Sequence, residues 1–313
     1  MITLEHVYIL TGAMLIAFAS LSLRDRTNPK RVGNAAFWGV LALAFLFGSH
    51  LSDFWNGILA ITLIVIGGFD LMHKGAATSS TLERRTRSAK ERGNLLFLPA
   101  VIVPLVALAG TLLLKESGLV DPKQVTLISL SLGVVIALIV CYAWLRPEPT
   151  APIEEGRRLI DTIGWAAVLP QMLASLGALF ALSGVGQAVG ELATAYLPLG
   201  TPTAAVIGYC LGMAAFTAVM GNAFAAFPVM TAAIGLPLIV QRFGGDPIAM
   251  SAIGMLAGFC GTLLTPMAAN FNIVPAALLD LPDRNGVIKA QAPTALLLLA
   301  ANTALMASVV YKF

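Results

Sequence analysis

The sequence predicts an all-α, polytopic integral membrane protein of about 8–10 transmembrane helices, with broken or re-entrant helices in its C-terminal half. Three observations carry this expectation. Of 313 residues, 58% are hydrophobic and 11% charged, with a mean hydropathy of +0.86, whereas an ordinary soluble domain is about 25% charged. The apolar residues fall in runs that reach or approach the roughly 20 residues needed to cross a bilayer. The runs are unbroken rather than alternating with polar residues, which excludes a lipid-facing β-barrel.

Taken in order, the apolar runs cover residues 4–23, 34–48, 56–72, 94–114, 125–145, 159–182 and 293–311. No Lys or Arg precedes the first run and several follow it, the reverse of a secretory signal, so this segment is expected to stay in the mature protein. The connections alternate in charge. Residues 24–31 carry Arg24, Arg26, Lys30 and Arg31; residues 73–93 carry Lys74, Arg84, Arg85, Arg87, Lys90 and Arg92; residues 146–158 carry Arg146, Arg157 and Arg158. The intervening connections carry none (49–55) and two, Lys115 and Lys123 (115–124). Because cytoplasmic connections are the ones enriched in Lys and Arg, this places the N-terminus outside, with five crossings up to residue 145. The arginine run in 73–93 lacks interleaved aromatics, so it reads as a contact with anionic lipid headgroups and not with nucleic acid.

Three regions follow: a five-helix membrane region over 1–145, a cytoplasmic Pro-rich linker over 146–158, and a transport-core region with interrupted helices over 159–313. The linker is marked by "RPEPTAP", whose prolines stiffen it. Beyond it, glycines at GxxxG spacing (Gly186 and Gly190, Gly208 and Gly212, Gly254 and Gly258) allow helices to approach closely. "GVGQAVG" has its third glycine one residue late for a dinucleotide fingerprint, and no strand precedes it. No cofactor is expected. Cys141, Cys210 and Cys260 stand alone, and His6, His50 and His73 lie far apart, so no metal site is expected either.

Two stretches place polar and helix-breaking residues inside apolar sequence. "VMGNAFAAFPVM" contains Gly221, Asn222 and Pro228; "TPMAANFNIVPAALL" contains Thr265, Pro266, Asn270, Asn272 and Pro275. In each an Asn and a Phe are followed by a Pro four residues after the Phe. Hydrocarbon tolerates a broken helix only where protein or a water-filled cavity covers the freed backbone groups, and paired interruptions are the best sequence pointer to a transport site. Gly221, Asn222, Thr265, Asn270 and Asn272 are therefore the candidate substrate-binding residues, with Pro228, Pro266 and Pro275 as the helix breaks. The same residues also suit ordinary turns between full spans. Glu191, in "GQAVGELATAYL", is a candidate coupling carboxylate or, on a hairpin or interfacial helix, a residue facing water.

At "MGNAFAAFPVMTAAIGLP" and "GTLLTPMAANFNIVPAALLDLP" the chain resembles, over nearly its whole length, a bacterial membrane family catalogued as domain of unknown function 979. The resemblance implies one subunit of a 5-oxoproline transporter in the bacterial inner membrane, working with a second, smaller membrane protein. More distantly the chain is similar to the ion-transporter superfamily of carboxylate carriers, though Gly221-Asn222-Ala223 stands where the Ser-Asn-Thr hairpin tip is common there. No binding residues are implied by either likeness.

The function expected is a subunit of a secondary transporter for a small carboxylate. No G-x-x-x-x-G-K-[ST] loop is present to bind ATP, so a proton or sodium gradient is the expected driving force. An intramembrane enzyme would need a nucleophile with its base, an H-E-x-x-H, or paired carboxylates within a span, and the sequence offers none. The alternative is a structural or regulatory membrane subunit whose partner carries the substrate site.

Overall fold

The computed structural model describes residues 1–75, 81–279 and 281–312; the part of the basic connection over 76–80 lies outside them. Among the described residues the regular structure is helical, and the only strand-like feature is a single parallel bridge between Ile2 and Val120. Among the described residues, eight segments are long and apolar enough to cross a membrane: Leu4–Arg24, Arg31–His50, Glu83–Leu113, Val125–Leu145, Ala151–Leu182, Pro202–Met220, Ala223–Arg242 and Gly286–Val309. Asp53–Gly68, Pro247–Thr262 and Ala269–Leu278 are apolar but shorter. The protein is an all-helical, multi-pass membrane protein. It divides into two compact units, Met1–Trp165 and Ala166–Phe313.

The first unit contains α1 (Leu4–Arg24), α2 (Arg31–Phe47), α3 (Asp53–Gly68), α4 (Leu82–Arg92), α5 (Leu98–Leu113), α6 (Val125–Leu145) and α7 (Ala151–Ile163). Helices α1 and α2 pack along each other, as do α5 and α6. Two elements lie where sequence reasoning expects connectors. Helix α4 occupies the basic stretch: the Thr81 hydroxyl accepts the Arg84 N–H at its start, Glu83 sits in its first turn, and Lys90 and Arg92 sit in its last, the arrangement that complements a helix dipole. Helix α7 starts inside the Pro-rich segment, with Pro152 in its first turn, where a missing N–H costs nothing. It ends at Gly164, whose φ of +62° a residue with a side chain rarely adopts. The apolar run 159–182 is thereby interrupted, and α8 begins only at Leu169.

Polar side chains fasten α7 to the helices before it. The Arg157 guanidinium contacts Asp25 at 3.0 Å and Asp161 at 3.1 Å. Asp161 also accepts the Trp38 indole N–H at 2.7 Å and the Ser22 hydroxyl at 3.3 Å. Beside it, the Asn34 side chain pairs with both backbone groups of His73, and Asn28 donates to the same carbonyl. The ends of α1, α2 and α3 are thus held by hydrogen bonds that none of these helices makes alone.

The second unit contains α8 (Leu169–Leu182), α9 (Val185–Tyr196), α10 (Pro202–Met220), α11 (Ala223–Met230), α12 (Pro247–Thr262), α13 (Ala269–Leu278) and α14 (Gly286–Val309). Its core is built on Tyr209, Met213, Ile239, Met250 and Met306, all fully buried. Helices α10 and α11 run antiparallel, with Tyr209 3.3 Å from Thr231 and Gly212 against Met230. Helix α11 continues as a π-helix over Thr231–Arg242 that contains Pro237. A proline ring pushes on the carbonyl four residues back, and the wider π turn relieves that pressure. The room comes from α9: a methyl built on Gly190 would fall 2.8 Å from the Ala233 carbonyl oxygen, and one on Gly186 would fall 2.7 Å from the Ala232 side chain. This GxxxG pair seats the π segment against α9.

Candidate functional site

The first interruption separates α10 from α11 by two residues. Gly221 takes a left-handed conformation, φ +74°, and its N–H donates to the Thr217 carbonyl at 2.7 Å, which ends α10. Asn222 is extended, and its side-chain oxygen accepts the Phe224 N–H at 2.8 Å, which starts α11. Pro228 lies within α11 and is half-buried. The segments on either side, 19 and 20 residues long, are each long enough to cross a membrane.

The second interruption has shorter arms of 16 and 10 residues, α12 and α13. Pro266 is exposed in the connection, and the buried Thr265 hydroxyl accepts the Met267 N–H at 3.2 Å. Asn272 is completely buried on α13. Its amide donates to the carbonyls of Thr262 at 2.8 Å and Thr265 at 2.6 Å, and its oxygen accepts from Gln291 of α14. Gln291 also donates to the Leu263 carbonyl at 3.1 Å. Two carbonyls at the end of α12 and one in the connection after it are therefore satisfied by two side chains, as apolar surroundings require. Asn270 points elsewhere and is exposed, and Pro275 is half-buried within α13.

The two interruptions touch. A methyl built on Gly221 would lie 2.5 Å from the Met267 carbonyl oxygen, so only glycine lets the turns approach this closely. Phe224 and Phe259 stack edge to face beside them, with centroids 5.9 Å apart. Helix α11 starts two residues after Gly221 and α13 two residues after Met267. The positive ends of two helix dipoles consequently converge on one contact. One turn back on α10, the Thr217 hydroxyl is fully buried without a hydrogen-bond partner.

A family model described as a protein of unknown function, DUF979, matches residues 5–311. The chain belongs to that family. No curated protein and no solved structure matches it.

In this DUF979 chain the structure brings Gly221, Asn222, Thr265 and Asn272 to the paired interruptions and leaves Asn270 on an exposed face of α13. Glu191 is exposed on the twelve-residue α9. An apolar groove of about 710 Å³ runs beside α9 and α10, between Val189, Leu197, Ile207, Leu211 and Phe216, and its walls offer an anion nothing. Gln291 and Thr217 escape sequence reasoning. The available signal for Gln291 is an amide two residues before Pro293 at the head of an apolar helix; for Thr217 there is none, since threonines in apolar helices usually bond their own backbone.

Proposed function

We propose that this chain is one subunit of a secondary transporter that moves a small carboxylate across the bacterial inner membrane on a proton or sodium gradient. The substrate that the family resemblance implies is 5-oxoproline, and the partner is a second, smaller membrane subunit. The observation supporting this reading is the convergence of the α11 and α13 N-termini at the Gly221–Met267 contact. Free N–H groups at a helix start, with the positive end of its dipole, attract a carboxylate without any buried cation. Side-chain amides beside them both donate and accept, which suits a lactam. A site built from dipoles and amides alone also releases its anion more readily than one with a bidentate arginine.

This reading assigns a substrate contact to Asn222, half-buried at the start of α11, whose side-chain oxygen accepts the Phe224 N–H. Asn270 keeps its candidacy from α13. Replacing either with Leu should lower 5-oxoproline uptake at least about tenfold, a loss of roughly 1.4 kcal/mol, at equal amounts of folded protein. Unchanged affinity and rate in both variants would remove these interruptions from the transport site.

The second reading, a structural subunit whose partner holds the substrate, is favoured by Asn272, whose donors and acceptor are all engaged by protein. Reconstituting each subunit alone and both together into proteoliposomes, with labelled 5-oxoproline and an imposed proton or sodium gradient, separates the two. Substrate binding by this chain alone supports the first reading; binding by the partner alone supports the second. Orientation is tested separately: single cysteines at Ser52 and at Ser80, the latter outside the described residues, should label from opposite sides, Ser52 from the periplasm. Labelling of both from the periplasm contradicts an outside N-terminus.

A further inference from the structure

Helix α4 and the connection from α6 to α7 face each other across a groove of about 590 Å³ in the first unit. One wall carries Arg84, Arg85, Arg87 and Arg92 together with Glu91; the other carries Glu148, Glu154 and Glu155. Four positive and four negative groups therefore line it, so an anion gains no net attraction from the groove as a whole. The signs are nevertheless separated, arginines on α4 and glutamates mostly opposite.

Some of these charges are already matched. Arg85 reaches across to Glu155 at 3.1 Å, Glu155 also holds Arg158, and Arg92 lies by Glu91 and over the Trp144 ring. Among the described residues, Arg84 and Arg87 on one wall and Glu148 and Glu154 on the other have no ion-pair partner. They face the same space yet do not meet, because the groove holds them apart. The local sequence maintains that gap. Arg146 ends α6 in a left-handed conformation, Pro147 and Pro149 stiffen the chain around Glu148, and the Tyr142 hydroxyl ties down the Pro149 carbonyl at 2.6 Å.

The groove is also lined by Leu96, in the 3-10 turn just before α5, and Leu145, at the end of α6. Leu95, Phe97 and Leu98 are exposed next to it, and Trp144 and Tyr142 lie at the same level. Aromatic residues at a span end mark the boundary between hydrocarbon and headgroups. The groove thus lies where a phospholipid places its headgroup above and its acyl chains below.

We propose that this groove binds a phospholipid whose headgroup carries both a phosphate and a primary ammonium, with the phosphate on Arg84 and Arg87 and the ammonium on Glu148 and Glu154. The pairing follows from donor chemistry. Guanidinium groups match phosphate oxygens with charge-assisted hydrogen bonds, and a primary ammonium brings three N–H donors to the carboxylates. A choline headgroup has the charge but no N–H donor, and a glycerol headgroup leaves the glutamates unmatched.

The test uses the full chain purified in mild detergent, offered phosphatidylethanolamine, phosphatidylcholine or phosphatidylglycerol with the same acyl chains, and read by native mass spectrometry. Phosphatidylethanolamine should be retained about tenfold or more over either of the others. Arg84→Gln with Arg87→Gln should abolish that preference, and so should Glu148→Gln with Glu154→Gln. Melting temperature in lipid-free detergent should match wild type in both variants, since these four side chains hold nothing together. Equal retention of the ethanolamine and choline lipids overturns the proposal, as does stronger retention of phosphatidylglycerol, which would leave the arginines acting alone. Displacement of the lipid by an equal concentration of soluble phosphoethanolamine would also overturn it, by assigning the groove to a free zwitterion.

Discussion

Replacing Arg157 with Met should destabilise the protein by about 3–5 kcal/mol, the cost of leaving buried carboxylates without their counter-charge. The Arg157 side chain is 9% exposed, and those of Asp25 and Asp161 are 6% and 1% exposed, so water cannot take over when the guanidinium is removed. At roughly 2–4 °C per kcal/mol in chains of a few hundred residues, the apparent melting temperature in detergent should drop by about 10 °C. The triple variant Arg157→Met, Asp25→Asn, Asp161→Asn should recover most of that loss, because it removes the charges along with their partner. A melting temperature within about 2 °C of wild type for Arg157→Met alone would show that water reaches the cluster in the detergent-solubilised protein.

The same cluster sets a pH dependence with a definite sign. Burial raises the Asp25 pKa, but hydrogen bonds from the Thr27 hydroxyl and N–H, together with Arg157, outweigh it and hold this carboxyl below 3.8. An acid depressed in the folded state contributes stability that is fully present above its unfolded pKa and lost as pH falls through the folded one. Wild-type melting temperature should therefore fall below about pH 4, and Arg157→Met, already without the counter-charge, should fall less steeply.

The second large effect is expected at Asn272. Changing it to Leu strands the carbonyls of Thr262 and Thr265 and one N–H of Gln291, whose amide keeps its bond to the Leu263 carbonyl. At about 1–3 kcal/mol for each unsatisfied group, the loss should be at least roughly 3 kcal/mol. The readout separates scaffold from ligand. If Asn272 clamps the end of α12, the variant melts early, and the fraction that stays folded binds substrate with wild-type affinity. If Asn272 contacts substrate, affinity falls in protein that still melts normally. Gln291→Leu should reproduce the stability loss in smaller measure, because Asn272 keeps its two backbone bonds.

Much of the fold is legible in the amino-acid pattern, and the limits are instructive. The long runs at 4–23 and 125–145 coincide with α1 and α6 almost residue for residue, since a hydropathy signal of that length is insensitive to what packs on it. Helices α4 and α7 fall in stretches that read as charged and Pro-rich connectors. Their helicity depends on caps at Thr81 and Gly164 and on the burial of Arg157 and Asp161, which composition does not register. At the candidate site, "MGNAF" and "TPMAANFN" are visible as interruptions: Gly221, Asn222 and Pro266 lie where helices stop or start, whereas Pro228 and Pro275, expected as breaks, lie inside α11 and α13. The pattern does not distinguish Asn272, enclosed and fully bonded, from Asn270 two residues before it and exposed. Two residues on a helix turn a side chain by about 200°, and only the neighbours decide which side is inside.

What the sequence by itself determined is the solvent: 58% hydrophobic residues in unbroken runs require helices in hydrocarbon, because there each segment must satisfy its own backbone locally. What only the tertiary structure decided is which polar groups meet. Arg157 finds Asp25 across 132 positions of sequence, Trp38 finds Asp161 across 123, and Gly221 lies against the carbonyl of Met267. Backbone satisfaction is a local condition that a run of residues states in full, whereas the pairing of buried charges and amides depends on close packing of helices distant in the chain, and close packing is not local.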